Sequence, residues 1–102
     1  MRTTAKREIL TCGVGGSFMV ETYFGCRVIR VALEDFRPYV WFEYDSRRPP
    51  WQRMFWLQVD GVDHGHMPDD AQYVGSFRDP SVSAEPPMLY HVYTERNRGN
   101  CG

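Results

Sequence analysis

Apolar and polar residues alternate with a period of two along most of the chain, and the alternating runs are bounded by Gly, Pro, Asp and Asn. That period belongs to half-buried β-strands, whose successive side chains point to opposite faces. Residues 6–10 lead through Gly13-Val14-Gly15-Gly16 into the run 18–23. Residues 27–33 set Ile29, Val31 and Leu33 against Val28, Arg30 and Ala32, and Phe36-Arg37-Pro38 turns the chain. Residues 39–45 set Val40, Phe42 and Tyr44 against Tyr39, Trp41 and Glu43. The stretch 46–52, with Pro49-Pro50, reads as a loop, because adjacent prolines offer no ladder donors. Residues 54–59 carry Phe55, Leu57 and Val59 on one face, and 61–70 form a polar loop. A strand at 72–77, a Ser/Pro-rich loop at 78–87 and a strand at 88–94 complete the pattern.

These runs predict an all-β fold: a single small antiparallel sandwich or open barrel of about seven short strands. At most one turn of helix fits, at 67–71. Residues 1–94 are expected to form one β-rich domain and 95–102 a flexible C-terminal tail.

Length and composition agree. A chain of 102 residues matches one domain of roughly 100–150 residues. Apolar content of 42% and charged content of 25% are those of a globular chain. Twelve Lys+Arg against 13 Asp+Glu leave a net charge of −1, which argues against nucleic-acid binding through bulk charge and against an acidic mimic of DNA. No apolar run approaches the ~18 residues of a membrane span, and the opening Met-Arg-Thr-Thr-Ala-Lys-Arg-Glu is too polar for a signal peptide. Neither a membrane nor a cofactor is expected. Three cysteines, Cys12, Cys26 and Cys101, make an odd count without a secretory signal and are read as reduced. If residues 5–12 and 17–24 pair as a hairpin, Cys12 and Cys26 lie too far apart to bridge, and Cys101 is the thiol open to linking two chains.

Several constellations carry candidate chemistry. The glycine-rich segment 13–16 lacks the following helix and Lys-Ser/Thr pair of a phosphate cradle, and reads as a hairpin loop. His64-Gly65-His66, with Asp60, Asp63, Asp69 and Asp70 nearby and His91 on the last strand, is the densest cluster of metal-capable or ligand-binding side chains. A hydrogen-bonded structural role outweighs metal ligation there, so no metal site is assigned. No Ser, Cys or carboxylate pair stands in a catalytic motif, and no catalytic residue is assigned. The segment Arg47-Arg48-Pro49-Pro50-Trp51-Gln52-Arg53 offers three guanidiniums and an indole on a proline-stiffened loop, the residue types of interface hot spots. Trp41 and Trp56, with Tyr39 and Met54, fall opposite the apolar stripes of their strands. Strands apolar on both faces point to a sticky sheet face, and so to a partner or a homodimer.

The blocks Tyr39-Val40-Trp41-Phe42-Glu43-Tyr44-Asp45, His64-Gly65-His66-Met67-Pro68, Tyr73-Val74-Gly75-Ser76-Phe77 and His91-Val92-Tyr93, in that order, resemble a family of short proteins of phages and prophages that is described as a domain of unknown function. The chain departs from that pattern in the histidine loop, where Asp63-His64 stand in place of Gly-Thr and Met67 precedes Pro68. The resemblance implies a small accessory protein of the bacterial host cytoplasm without an established catalytic role, with His66 and His91 as recurring histidines. The expected function is therefore binding, as a non-catalytic inhibitor of a host defence complex, an anti-CRISPR-like or other anti-defence role. Arg47, Arg48, Trp51, Arg53, Trp41 and Trp56 would meet the host protein. A second reading is a nucleotide or small-ligand sponge using His64, His66 and His91 with an aromatic pocket. A third is a metal-binding protein using the same histidines.

Overall fold

A computed structural model of the chain describes residues 2–9, 16–61, 67–78 and 88–96. Within them lie seven strands: β1 (Thr3–Glu8), β2 (Gly16–Tyr23), β3 (Arg27–Glu34), β4 (Arg37–Tyr44), β5 (Pro50–Val59), β6 (Gln72–Arg78) and β7 (Leu89–Thr94). Two antiparallel sheets, of order β1-β4-β3 and β2-β5-β7-β6, pack as the expected all-β sandwich without closing into a barrel. Among the described residues there is no helix long and apolar enough to cross a membrane. The segment expected to hold a turn of helix shows a hydrogen-bonded turn instead, Ala71 N to Pro68 O at 3.1 Å.

The core is the inner side of the alternation. Val40 and Phe42 of β4 meet Val20 of β2, Phe55 and Leu57 of β5, Phe77 of β6, and Tyr90 and Val92 of β7, all nearly covered. Burial of several large apolar side chains, each contributing about 1.5–3 kcal/mol, drives this face-to-face packing. Ile9, just past β1, and Cys26, just before β3, close it from the ends.

Four expectations are corrected. First, β1 and β2 do not form a hairpin: β1 pairs with β4 and β2 with β5, in different sheets. Second, Pro50, Trp51 and Gln52 belong to β5 and not to a loop. Strand β2 pairs as far as Tyr23↔Pro50, and Pro50 takes the first strand position, where proline is tolerated. Third, the β3–β4 turn is Asp35-Phe36, between the paired Glu34 and Arg37, and Pro38 is a buried strand residue. Fourth, β3 does not alternate evenly. A bulge between Val28 and Arg30 makes Ile29 the extra residue, so Val28 and Val31 pack inward, while Ile29 and Leu33 are exposed.

Candidate functional site

The six residues expected to meet a partner do not share one surface. Arg47, Arg48 and Trp51 gather at one end of the sandwich. Arg47 embraces Asp45: its backbone N and Nε each donate to Oδ1 at 3.0 Å and its Nη2 to Oδ2 at 2.9 Å. These hydrogen bonds, the side-chain ones first, hold the Asp45 carboxyl well below the usual carboxylate range. Arg48 lies 5.8 Å from the Phe24 ring, and Phe24 packs edge-on against Trp51 at 5.0 Å. Trp51 Nε1 donates to Glu95 Oε1 at 3.0 Å. Glu95, placed by expectation in the flexible tail, is thus fastened, and its backbone N also donates to Met54 O at 3.2 Å. Residues 97–102 lie outside the described residues.

Arg53 is not outward at all. It is buried at 4% exposure on the inner side of β5, where alternation groups it with Phe55 and Leu57. Its guanidinium donates to Thr94 Oγ1, Cys26 O and Glu95 O. A charge removed from water this far serves the interior and cannot grip a partner.

Trp41 and Trp56 lie on opposite outer faces. On the three-stranded sheet, Arg30 sits 4.3 Å from the Trp41 ring, and Lys6 sits 4.6 Å from Tyr39 and 5.9 Å from Trp41. Ion pairs Lys6–Glu34, Arg37–Glu8 and Arg27–Glu43 cross the same face. The Glu34 hydrogen bond raises the Lys6 ammonium above its ordinary value. On the four-stranded sheet, register aligns Ser17, Trp56, Tyr93 and Tyr73 in one row across all strands, with Met19 and Met54 paired in the next. Tyr73 packs edge-on against Tyr93 at 5.5 Å, and Tyr73 and Met19 are each 58% exposed.

Beside that row runs a hydrogen-bonded chain that the alternation pattern did not reveal. The Tyr73 hydroxyl meets Ser76 Oγ at 2.5 Å, Ser76 Oγ meets His91 Nδ1 at 2.7 Å, and His91 Nε2 meets Asp60 Oδ1 at 2.8 Å. The Asp–His–Ser order is that of an orienting acid, a base and a nucleophile. Here the serine hydroxyl is also engaged by a tyrosine, and the Asp60 side chain is 61% exposed. What the geometry does is pin the turn after β5 onto the β6–β7 pair. A signal was present: pairing 72–78 with 89–94 as neighbouring strands sets Ser76 opposite His91. His64 and His66 lie outside the described residues, among which no group of three metal-capable side chains converges.

Fold and surfaces together define a small two-sheet β-sandwich with one ion-paired outer face and, on the other, a central row of uncharged aromatic residues. The chain belongs to the family described as Domain of unknown function DUF7352, which matches residues 1–100. No curated protein and no solved structure matches it.

Proposed function

We propose that this chain is a non-catalytic binding protein, a phage accessory that works in the bacterial cytoplasm by covering a surface of a host defence complex. One observation carries the reading: the uncharged row Ser17–Trp56–Tyr93–Tyr73, flanked by Met19 and Met54, on the outer face of the four-stranded sheet. An aromatic centre with a polar rim, here Gln52 and Gln58, is the anatomy of a protein interface, and Trp and Tyr supply most of its energy. The opposite face has aromatic rings too, but Lys6 and Arg30 cover them, and desolvating its ion pairs would oppose docking. Trp56 is therefore the anchor, while Trp41 and the Arg47 end are not. The partner is a separate protein and not a second copy: Ser17, Gln58 and His91 make the face more polar than the seam of an obligate dimer.

The test is phage plaquing on a bacterium with an active defence system, with and without the protein. Wild type is expected to restore plaquing, and Trp56→Ala/Tyr73→Ala to lose at least about tenfold of it, ~1.4 kcal/mol of binding, while its circular dichroism stays native. Equal plaquing with and without wild type, equal rescue by the double variant, or a stable dimer in light scattering that this variant splits would each overturn the reading.

A further inference from the structure

The two sheets close on each other along β3 and β6, where a Cβ added at Gly75 would lie 3.4 Å from Val31 Cβ. On the other side β1 and β2 leave each other unpaired, and a cleft of about 330 Å³ opens there. Its lining includes Arg7, Glu21, Thr22, Tyr23, Phe42 and Tyr44. Strand parity explains the set. On β2, Val20 and Thr22 turn inward, while Glu21 and Tyr23 share the other side at the rim. The Tyr23 ring reaches round the edge to stack on Tyr44, 5.2 Å apart and 17° from parallel. On β1, Arg7 stands opposite Val40, and its guanidinium carbon lies 5.7 Å from the Phe42 ring centroid.

Three polar groups of this cleft lack a full complement of partners among the described residues. Thr22 is 7% exposed and its Oγ1 has no hydrogen-bond partner among the described residues, an expensive state for a buried hydroxyl. Arg7 donates from Nη1 to the carbonyl of Lys6 at 3.0 Å, and no carboxylate among the described residues pairs with it. Glu21, of opposite charge, pairs with no cation among them. An arginine and a glutamate that line one cleft yet do not reach each other leave room for a molecule carrying both complementary charges. A guanidinium laid over a ring keeps its in-plane N–H edge for a carboxylate. Because the lining is charge-balanced, a simple anion or cation gains little from it.

We propose that this cleft binds a small zwitterion with a flat ring, of the aromatic α-amino-acid class. Its carboxylate meets Arg7 and accepts from the Thr22 hydroxyl, its ammonium donates to Glu21, and its ring lies along Tyr23 and Tyr44. The site opens at the edge between the sheets; Glu21 and Tyr23 border the outer side of β2, but the site uses neither Trp56 nor Tyr73 of the docking row.

The test is titration of the full chain, followed by NMR and calorimetry, with L-phenylalanine, L-phenylalaninamide and N-acetyl-L-phenylalanine. Saturable binding of the free amino acid is expected, weakened at least about tenfold when either charge is capped and likewise in Arg7→Gln. Thr22→Val should raise the unfolding midpoint, since it deletes an orphan hydroxyl at nearly constant shape, and yet weaken binding. Absence of saturable binding, equal binding of the three compounds, or unchanged binding in Arg7→Gln would overturn the proposal. Unchanged binding in Thr22→Val would overturn the part assigned to Thr22.

Discussion

Arg53 Nε donates to Thr94 Oγ1 at 2.9 Å, and that hydroxyl in turn donates to Met54 O at 3.0 Å. Both residues are buried, at 4% and 2% exposure. Arg53 Nη1 reaches Cys26 O at 3.2 Å and Nη2 reaches Glu95 O at 2.7 Å. One guanidinium thus ties β5 to the end of β7 and to the residue just before β3, a strand of the facing sheet. Arg53→Ala should lower stability by at least ~3 kcal/mol, because several buried acceptors lose their donor and a cavity opens. For ~100 residues that is a fall in Tm of about 12 °C or more, read by thermal denaturation. Arg53→Met refills the volume but not the hydrogen bonds, so it should fall between wild type and Arg53→Ala.

The two-residue turn between β3 and β4 places a bulky side chain where glycine fits best. Asp35 and Phe36 have φ of 51° and 64°, and Phe36 is 84% exposed. The left-handed region costs an L-residue about 1–2 kcal/mol, whereas the two-residue hairpin joining β3 to β4 requires it at both positions. Phe36→Gly should therefore stabilise the chain by roughly 0.5–1 kcal/mol after the flexibility glycine adds to the unfolded state. Chemical denaturation would show a higher midpoint at unchanged slope, and a lower midpoint would mean that the ring makes contacts its exposure does not reveal.

Asp45 and Arg47 give a pH dependence whose sign is set by the lowered carboxyl. A carboxylate that protonates less readily folded than unfolded stabilises the fold above its ordinary value of 3.8, and that contribution is lost as pH falls through the lower folded value. The pair is solvent-exposed, so its effect on stability is small and weakens with salt. NMR titration of the Asp45 carboxyl carbon should find it ionised at pH values where a free aspartate is protonated. In Arg47→Ala the midpoint should rise toward the ordinary range but stay below it, since the side-chain hydrogen bonds, the leading cause, are lost while the backbone N–H of residue 47 still donates to Asp45.

Much of the fold was readable because burial follows strand parity. Val40 and Phe42, Phe55 and Leu57, and the strand holding Tyr90 and Val92 show the period of two directly, and their strands lie where the alternation predicts them. What escaped depends on partners distant in sequence. Pro50 and Trp51 look like loop residues until β2 is laid beside them. Ile29 looks like core until the bulge after Val28 shifts the register. Arg53 has the composition of a surface residue, and only its inward parity and the acceptors at 26, 94 and 95 explain its burial. The candidate surface was half legible for the same reason: composition marked Trp41 and Trp56 alike, but only the pairing of β1 with β4 brings Lys6 beside Trp41 and separates the two faces.

The His91 chain makes the last prediction. His91 stands between Ser76 and Asp60 on the outer face, and its side chain is 27% exposed against 61% for Asp60. Desolvation makes the inner bond the stronger one, so the two ends should differ. Ser76→Ala should cost ~1 kcal/mol, whereas Asp60→Ala, an exposed pair, should cost under about 1 kcal/mol. Ser76 and His91 touch, so a double-mutant cycle with His91→Phe should return a coupling of about 0.5 kcal/mol or more, and additive losses would show that the bond contributes nothing. His91→Phe also frees the turn at Asp60 and Gly61 while keeping a ring on the sheet. Amide exchange should then quicken at Asp60, whose N–H bonds Leu89 O at 2.8 Å, and stay slow in the buried rows of β4 and β5. Uniform quickening across the sheets would mean that His91 supports the whole sandwich and not one turn.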